Sequence, residues 1–277
     1  MKLAVSSIAW PLAREEEAAA LLRARGVAGV ELAPTQRWPS PPEAPAAELD
    51  ACRAAWEARG LPIVAAQAVL FGRPDLLVFG DDEARTRLVE YLGGVARACA
   101  RLGARALVFG APKNRRRGDL PAAEALDVAV DVFGRLARAA HAAGTAFVLE
   151  ANPTEYGADF ATRFDEALEV VARVDHPGLG LHLDSACMHL AGDDLVACAR
   201  VALERGVLRH VHLSAPYLAP LTDPAAATVP LSAFVEALRR GGYTGWVSLE
   251  MRAPDPFDPA PLAASIDAAV AALSLGS

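Results

Sequence analysis

Cysteine is scarce in this chain, with Cys52, Cys99, Cys187 and Cys198 alone among 277 residues and no CxxC spacing between them. That excludes a disulfide framework as the source of stability. An excess of positive charge is also missing. The formal net charge is −7, and the basic residues are scattered along helical stretches apart from one cluster at Lys113 to Arg117. A protein that tracks phosphate backbones carries a basic face, so nucleic acid is not an expected partner. No uninterrupted apolar run reaches the ~18 residues of a membrane span, so no membrane association is expected. The opening MKLAVSSIAWPLAREEE starts like a secretion signal, but Ser6, Ser7 and Pro11 break it and an acidic stretch follows at once. The cytoplasm is therefore the expected location. Low-complexity linkers and internal sequence repeats are absent as well.

What is present is a large apolar fraction, 53%, against 22% charged residues. That balance suits a globular chain with a sizeable core, and the length suits one large domain or two modest ones. One punctuation recurs. An Ala/Arg/Leu-rich helical stretch ends in glycine and a short β-rich run begins within a few residues, as in ARGVAGVELAP, RLGARALVFGAP, AAGTAFVLEANP, ERGVLRHVHLSAP and RGGYTGWVSLEM. Glycine belongs there because helices commonly close on a left-handed residue that it adopts cheaply.

Counted this way, strands fall near 3–10, 29–34, 63–70, 106–112, 146–153, 179–186, 210–216 and 246–251. Helices are expected between them, for example over 14–25, 82–102, 121–143 and 231–240. Strict β/α alternation calls for a parallel sheet with helices outside it. A doubly wound open sheet is the rival, but the first strand runs into AWPLAREEE without the Gly-rich phosphate loop such a sheet usually carries. The expected fold is a single (β/α)8 TIM barrel spanning residues 1–277. Two long proline-rich connections, PTQRWPSPPEAPA after the second strand and APYLAPLTDPAAATVP after the seventh, lie on the face where barrel enzymes carry their sites. They are expected either to wall the site or to be stiffened surface loops.

Polar residues near the C-terminal strand ends carry the chemistry. By the period of two, Glu150 and Asn152 share a face on strand five, His182 and Asp184 on strand six, His210, His212 and Ser214 on strand seven, and Trp246, Ser248 and Glu250 on strand eight. The intervening Leu149, Leu183, Val211 and Leu249 suit the helix side. Bare carboxylates inside a barrel are costly unless neutralised. Glu150, Asp184, His212 and Glu250 at equivalent depth on four successive strands therefore point to one divalent ion. A set of carboxylates plus imidazole without thiolate favours Mn2+, Mg2+ or Co2+ and admits Zn2+.

The motifs VLEANP, HLDSA, HVHL and SLEM, in that order, make the chain resemble the xylose isomerase-like barrels, specifically the sugar phosphate isomerase/epimerase group, from GVEL onward. The resemblance implies a metal held by Glu150, Asp184, His212 and Glu250. It also implies proton exchange with substrate by Glu150 and Glu250 as the catalytic pair. The chain departs from the family at two places. Many members carry histidine three residues after the strand-six aspartate, where Cys187 stands here, with His189 two residues on. Ketose 3-epimerases tend to place arginine shortly after the strand-seven histidine, where this chain reads SAPYLAPL.

Further residues are expected around the substrate. Trp10, at the end of strand one, is placed to stack on a sugar face or to fill space. Gln67 and Asn152 suit hydroxyl groups. Lys113, ahead of Arg115 to Arg117, suits a phosphate or carboxylate. His182 is expected below or beside the metal at the substrate site, Cys187 in the slot of the family histidine, and Arg252 orienting substrate or pairing with an acidic loop. Glu31 and His210 read as structural.

The chemistry that fits is proton abstraction beside a carbonyl in a small sugar, sugar phosphate or keto-polyol, giving isomerisation or epimerisation; β-hydroxyl loss from the same enediolate would make a dehydratase. Endonuclease IV-type enzymes share the barrel but use three metals and extra histidines, and strands three and four offer only Gln67 and Gly110 there. A non-catalytic metal or sugar binder is the other alternative, and homo-oligomerisation stays open.

Overall fold

The computed structural model describes residues 1–274. Eight parallel strands close on one another in sequence order: β1 (Lys2–Ser6), β2 (Gly29–Leu32), β3 (Ile63–Ala66), β4 (Ala106–Phe109), β5 (Ala146–Glu150), β6 (Leu179–Asp184), β7 (Leu208–Ser214) and β8 (Trp246–Glu250). The helices on the outside are α1 (Glu15–Ala24), α2 (Ala46–Ala58), α3 (Asp82–Leu102), α4 (Ala122–Ala142), α5 (Phe164–Val174), α6 (Ser185–Leu190), α7 (Leu195–Glu204), α8 (Leu231–Arg240) and α9 (Pro259–Ser274). The fold is a single (β/α)8 barrel.

Local sequence explains the outer helices. On α4 the buried residues are Ala125, Ala129, Val132, Phe133, Leu136, Ala137 and Ala140, the three-and-four spacing of one helical stripe. Helix α3 starts at Asp81, whose carboxylate accepts the Ala84 N–H at 2.8 Å. It ends at Gly103, whose φ of +103° sends the chain into β4. Leu149, Leu183, Val211 and Leu249 face this helical layer and join the main apolar core.

Inside the ring the two halves differ. A small apolar cluster of Ala4, Val64, Ala65, Ala106, Val108 and Val148 occupies β1 and β3 to β5. Glu31, His182, His210, His212 and Ser248, all buried, occupy β2 and β6 to β8. The register aligns Glu150 with His182, Asp184 with His212, and Ser214 with Glu250. In register Asp184 stands two residues beyond the partner of Glu150, and Glu250 two beyond the partner of His212, and all three line the cavity at the C-terminal rim.

The strands stop earlier than the apolar runs suggest, because their ends turn into the loops that line the rim. β1 is the clearest case, and of the two expectations for Trp10 it leaves the space-filling one. The strand ends at Ser6, whose hydroxyl caps a 3-10 turn over Ser7–Ala9. That turn carries Trp10 into the core, where its ring lies 6.3 Å from that of Trp56 on α2. Trp10 is 1% exposed and is not among the described residues that line the central cavity. The proline-rich loop after β2 also turns away, with Pro42 against Gly94 of α3; the segment after β3 lines the cavity instead.

Gly178 shows how closely α4 lies on β6. A Cβ there would collide with the main-chain carbonyl of Ala137, which a rigid helix cannot withdraw. Gly178→Ala should lower stability by about 1–3 kcal/mol, the usual cost of overpacking, measurable as a reduced midpoint in denaturant unfolding with unchanged slope.

Candidate metal centre and cavity

The deepest element of the site is a carboxylate shared by two imidazoles. Glu31, on β2, is fully buried. Its oxygens lie 3.0 Å from Nε2 of His210 and 2.9 Å from Nε2 of His212. Nε2 of His210 is also 3.1 Å from the Ser248 hydroxyl. Burial alone would raise the Glu31 carboxyl, but the His212 and His210 imidazoles outweigh it and hold it well below the usual range. For His212, burial opposes the charge, and Glu31 followed by Glu250 carries the imidazole well above its usual value. Because Glu31 engages Nε2, the ring turns Nδ1 the other way. Nδ1 lies 3.4 Å from Glu250 and 3.6 Å from Asp184, and it is a buried nitrogen without a hydrogen-bond partner among the described residues.

The three carboxylates around Nδ1 are held differently. Asp184 ends β6 and caps α6, accepting the Cys187 N–H at 2.7 Å and the Ser214 hydroxyl at 2.7–2.8 Å. Glu150 ends β5 and accepts Asn152 Nδ2 at 2.9 Å. Burial, with the charges of Asp184 and Glu250, pushes its carboxyl up to about 8. Glu250 is raised too, by burial first. Space for Glu150 comes from Gly110 at the end of β4, where a Cβ would strike its carboxylate.

These residues fit a divalent cation. One donor atom each from Glu150, His182, Asp184 and His212 lie within 4.8 Å of one another, and Glu250 reaches the same His212 nitrogen. Crowded carboxylates whose protons are held too tightly, beside an imidazole nitrogen that faces them without a hydrogen bond, are what a dication would satisfy. Glu31, His210 and His212 also stand close enough to share an ion. There, however, both imidazole Nε2 atoms are already spent on Glu31, so that group reads as support for the ring rather than a second site.

His182 lies below the site, as expected, and is not in reach of a substrate in the cavity. It lies beneath the carboxylates, with its ring centroid 4.1 Å from that of His212 and Nε2 3.8 Å from Glu150, and it does not line the cavity among the described residues. The imidazoles alternate inward along β6 and β7, which stacks His182 against His210 instead of lifting it to the rim. Burial, then His212 and His210, drives it well below its usual value, so the ring is neutral.

Above the carboxylates opens a cavity of about 770 Å3 whose wall includes Glu150, Asp184 and Glu250. Gln67, Lys113, Asn152, Cys187 and Arg252 line it as well. Gln67 donates to the Ser6 hydroxyl, and the buried Oδ1 of Asn152 lacks a partner among the described residues. Cys187 approaches Glu150 at 3.8 Å, and burial together with Asp184 and Glu150 keeps it a neutral thiol. Strain gathers here. Ala68, Ala111, Tyr217 and Leu218 line the cavity and all have positive φ, each costing about 1–3 kcal/mol that surrounding contacts must offset.

Arg115 carries more than the sequence suggests. The 3-10 turn Pro112–Arg115 sends it inward, fully buried, where Nη1 donates to the Glu150 carbonyl at 2.6 Å. Burial lowers it to about 10, so it stays a cation behind the acidic site. Glu31, Ser214 and Gly110 likewise acquire roles visible only once the strands are side by side.

Glu31→Gln tests the support. The amide offers one acceptor oxygen where two imidazoles now share a carboxylate, so the His212 ring loses its fixed orientation. Affinity for divalent metal in a chelator-competition titration should fall about 10–100-fold, with the fold retained by circular dichroism.

A model of the xylose isomerase-like TIM barrel matches residues 19–273. No curated protein matches significantly. Among solved structures, a D-psicose 3-epimerase from Clostridium cellulolyticum H10, with D-tagatose, superposes with a TM-score of 0.79 at 16% identity, covering 99% of this chain and 98% of that one. The 3-keto-D-glucoside 4-epimerase YcjR from E. coli gives 0.74 at 18% identity, covering 98% of each chain. The IOLI protein with a binding zinc atom gives 0.75 at 19% identity, covering 99% of this chain and 98% of that one. At such identities the likeness is one of fold. With the family match running from 19 to 273, the chain belongs to the xylose isomerase-like TIM barrel family.

Proposed function

We propose that this protein is a divalent-metal-dependent isomerase or epimerase acting on a polyhydroxy carbonyl compound, with Glu150, Asp184, His212 and Glu250 holding one ion. The observation that carries this reading is the His212 Nδ1 atom, buried and without a hydrogen-bond partner, facing carboxylates that also line the cavity. Sugar epimerases among the solved structures of the same fold, and one neighbour with a zinc atom, support it. Mn2+, Mg2+ or Co2+ are favoured by the carboxylate-rich donor set, with Zn2+ admitted.

When bound, the ion would supply Lewis-acid polarisation of a substrate carbonyl and its neighbouring hydroxyl. The remaining work falls to the chain. Glu150 and Glu250 stand on β5 and β8, three strands apart in the ring, and so approach a substrate from different sides. A carboxylate oxygen of one removes the proton from the carbon beside the carbonyl, leaving an enediolate. Return of that proton by the same glutamate to the former carbonyl carbon, with the hydroxyl proton passing to the former carbonyl oxygen, isomerises. Delivery of a proton to the original carbon from the opposite face by the other glutamate, protonated for that step, epimerises and leaves the proton exchanged between the two carboxyls. Asn152 orients Glu150 through Nδ2 and keeps Oδ1 for a substrate hydroxyl, and Gln67 offers a further amide. Arg115 fixes the main chain of Glu150 from behind.

The net charge of −7 speaks for a small-molecule substrate in preference to nucleic acid. Among the described residues no helix is long and apolar enough to cross a membrane, and the cytoplasm is the proposed location.

Glutamine at position 150 or 250 keeps shape and one oxygen ligand but no basic carboxylate. Glu150→Gln and Glu250→Gln should each retain measurable metal yet lose turnover by at least ~100-fold, assayed on a panel of ketoses, sugar phosphates and keto-polyols. Near wild-type rates in both metal-loaded variants would refute the two-glutamate mechanism.

A further inference from the structure

The cavity continues well beyond the polar groups at its floor. Its volume of about 770 Å3 lies in the upper half of the roughly 300–1,000 Å3 that holds drug-sized ligands. A free monosaccharide would occupy the floor and leave the outer part to water. The wall above the carboxylates includes the apolar Ile8, Val69, Leu70, Phe71, Tyr217 and Leu218 beside the cationic Arg73, Lys113 and Arg252.

Two of these side chains stand out. The exposed large hydrophobic side chains among the described residues are Leu12, Phe71, Leu77, Val196 and Tyr217. The two aromatic ones, 75% and 65% exposed, both line this cavity. Phe71 lies in the segment after β3 and Tyr217 in the segment after β7. In a closed ring of eight strands these are four places apart, so the two segments rise on opposite sides of the mouth.

Neither aromatic sits in a slack loop. Ala68, with φ of +53°, opens the turn whose carbonyl accepts the Phe71 N–H at 3.0 Å, and Thr35 donates to the same carbonyl at 3.3 Å. Tyr217 and Leu218 have φ of +61° and +60°. The Tyr217 N–H donates to the Tyr156 hydroxyl at 2.8 Å, and the Leu218 carbonyl accepts the Arg252 N–H at 2.9 Å. The Tyr156 ring meets Tyr217 edge-on at 5.8 Å. Left-handed backbone at ordinary side chains, held by such contacts, fixes two aromatic faces in water where burial would be expected.

We infer that the substrate is a glycoside-type conjugate: a polyhydroxy carbonyl part at the carboxylate floor, joined to an apolar or aromatic substituent held at the mouth between Phe71 and Tyr217. The inference rests on the proposed reading of the inner site. An aromatic substituent would cover the exposed rings in the edge-to-face or offset geometry they favour. Unsubstituted sugars would leave them wet.

The test is titration calorimetry of the full chain loaded with Mn2+, using methyl and phenyl β-D-glucopyranoside as inert probes that differ only in the substituent. The phenyl compound should bind about tenfold more tightly, the scale of one or two aromatic contacts. Phe71→Ser and Tyr217→Asn, the latter tolerant of left-handed backbone, should remove most of that advantage while methyl glucoside and metal binding stay as in the wild type. Equal affinities for the two probes, no measurable binding of the phenyl compound, or an undiminished advantage in the double variant would each overturn the inference. Repeating the titration without metal separates the two readings. A phenyl advantage indifferent to metal supports the outer subsite and counts against the metal-centred inner site. Metal-enhanced binding of both probes without a phenyl advantage does the reverse.

Discussion

The site depends on one buried interaction, the pairing of Glu31 with Nε2 of His212 at 2.9 Å. A carboxylate at the centre of a barrel is tolerable only if it is neutralised, and two imidazoles do that for Glu31. The consequence is directional. With Nε2 committed, His212 presents Nδ1 to Asp184 and Glu250, and the ring cannot rotate without abandoning a buried charge. The pattern is that of a carboxylate setting the tautomer and aim of a metal-binding histidine. It explains why a residue on β2 matters to a centre built on β5 to β8.

Division of the barrel interior follows from the same constraint. β1, β3 and β4, which supply no carboxylate to the rim, carry small apolar residues, Ala4, Val64, Ala65, Ala106 and Val108, joined by Val148 below Glu150 on β5. The polar side is correspondingly dense, with His182, His210 and His212 in mutual ring contact. Close packing leaves few ways to rearrange, so the orientation of each group is set by its neighbours. Gly110 belongs to this arrangement through what it lacks, since a side chain there would displace the Glu150 carboxylate.

Much of this was legible in the sequence, for physical reasons. Helix-to-glycine-to-strand punctuation marks each β/α unit, and the period of two puts Glu150, Asp184, His212 and Glu250 on the inner face. The helices 82–102 and 231–240 coincide with α3 and α8. What escaped was non-local. Glu31 meets its partners 179 and 181 residues away, and nothing in GVEL marks that glutamate as more than structural. Arg115 sits in a run of charges that resembles a solvated loop, and only the turn at Pro112–Arg115 shows it pointing inward. For Trp10 the sequence left sugar stacking and space filling open, because the apolar run continues past Ser6; the turn there sends the ring into the core. His182 obeys its inward alternation and lies beneath the carboxylates, the position the sequence indicated.

The central claim is that one divalent ion is held against Nδ1 of His212 while Glu31 keeps Nε2. Anomalous diffraction from a crystal soaked in Mn2+ tests it most directly. The account predicts a single anomalous peak at the C-terminal rim, bonded to His212 Nδ1 and to carboxylate oxygens of Glu150, Asp184 and Glu250, with the Glu31 contact intact. No peak at the rim, or an ion bound between Glu31 and the histidine Nε2 atoms, would contradict it.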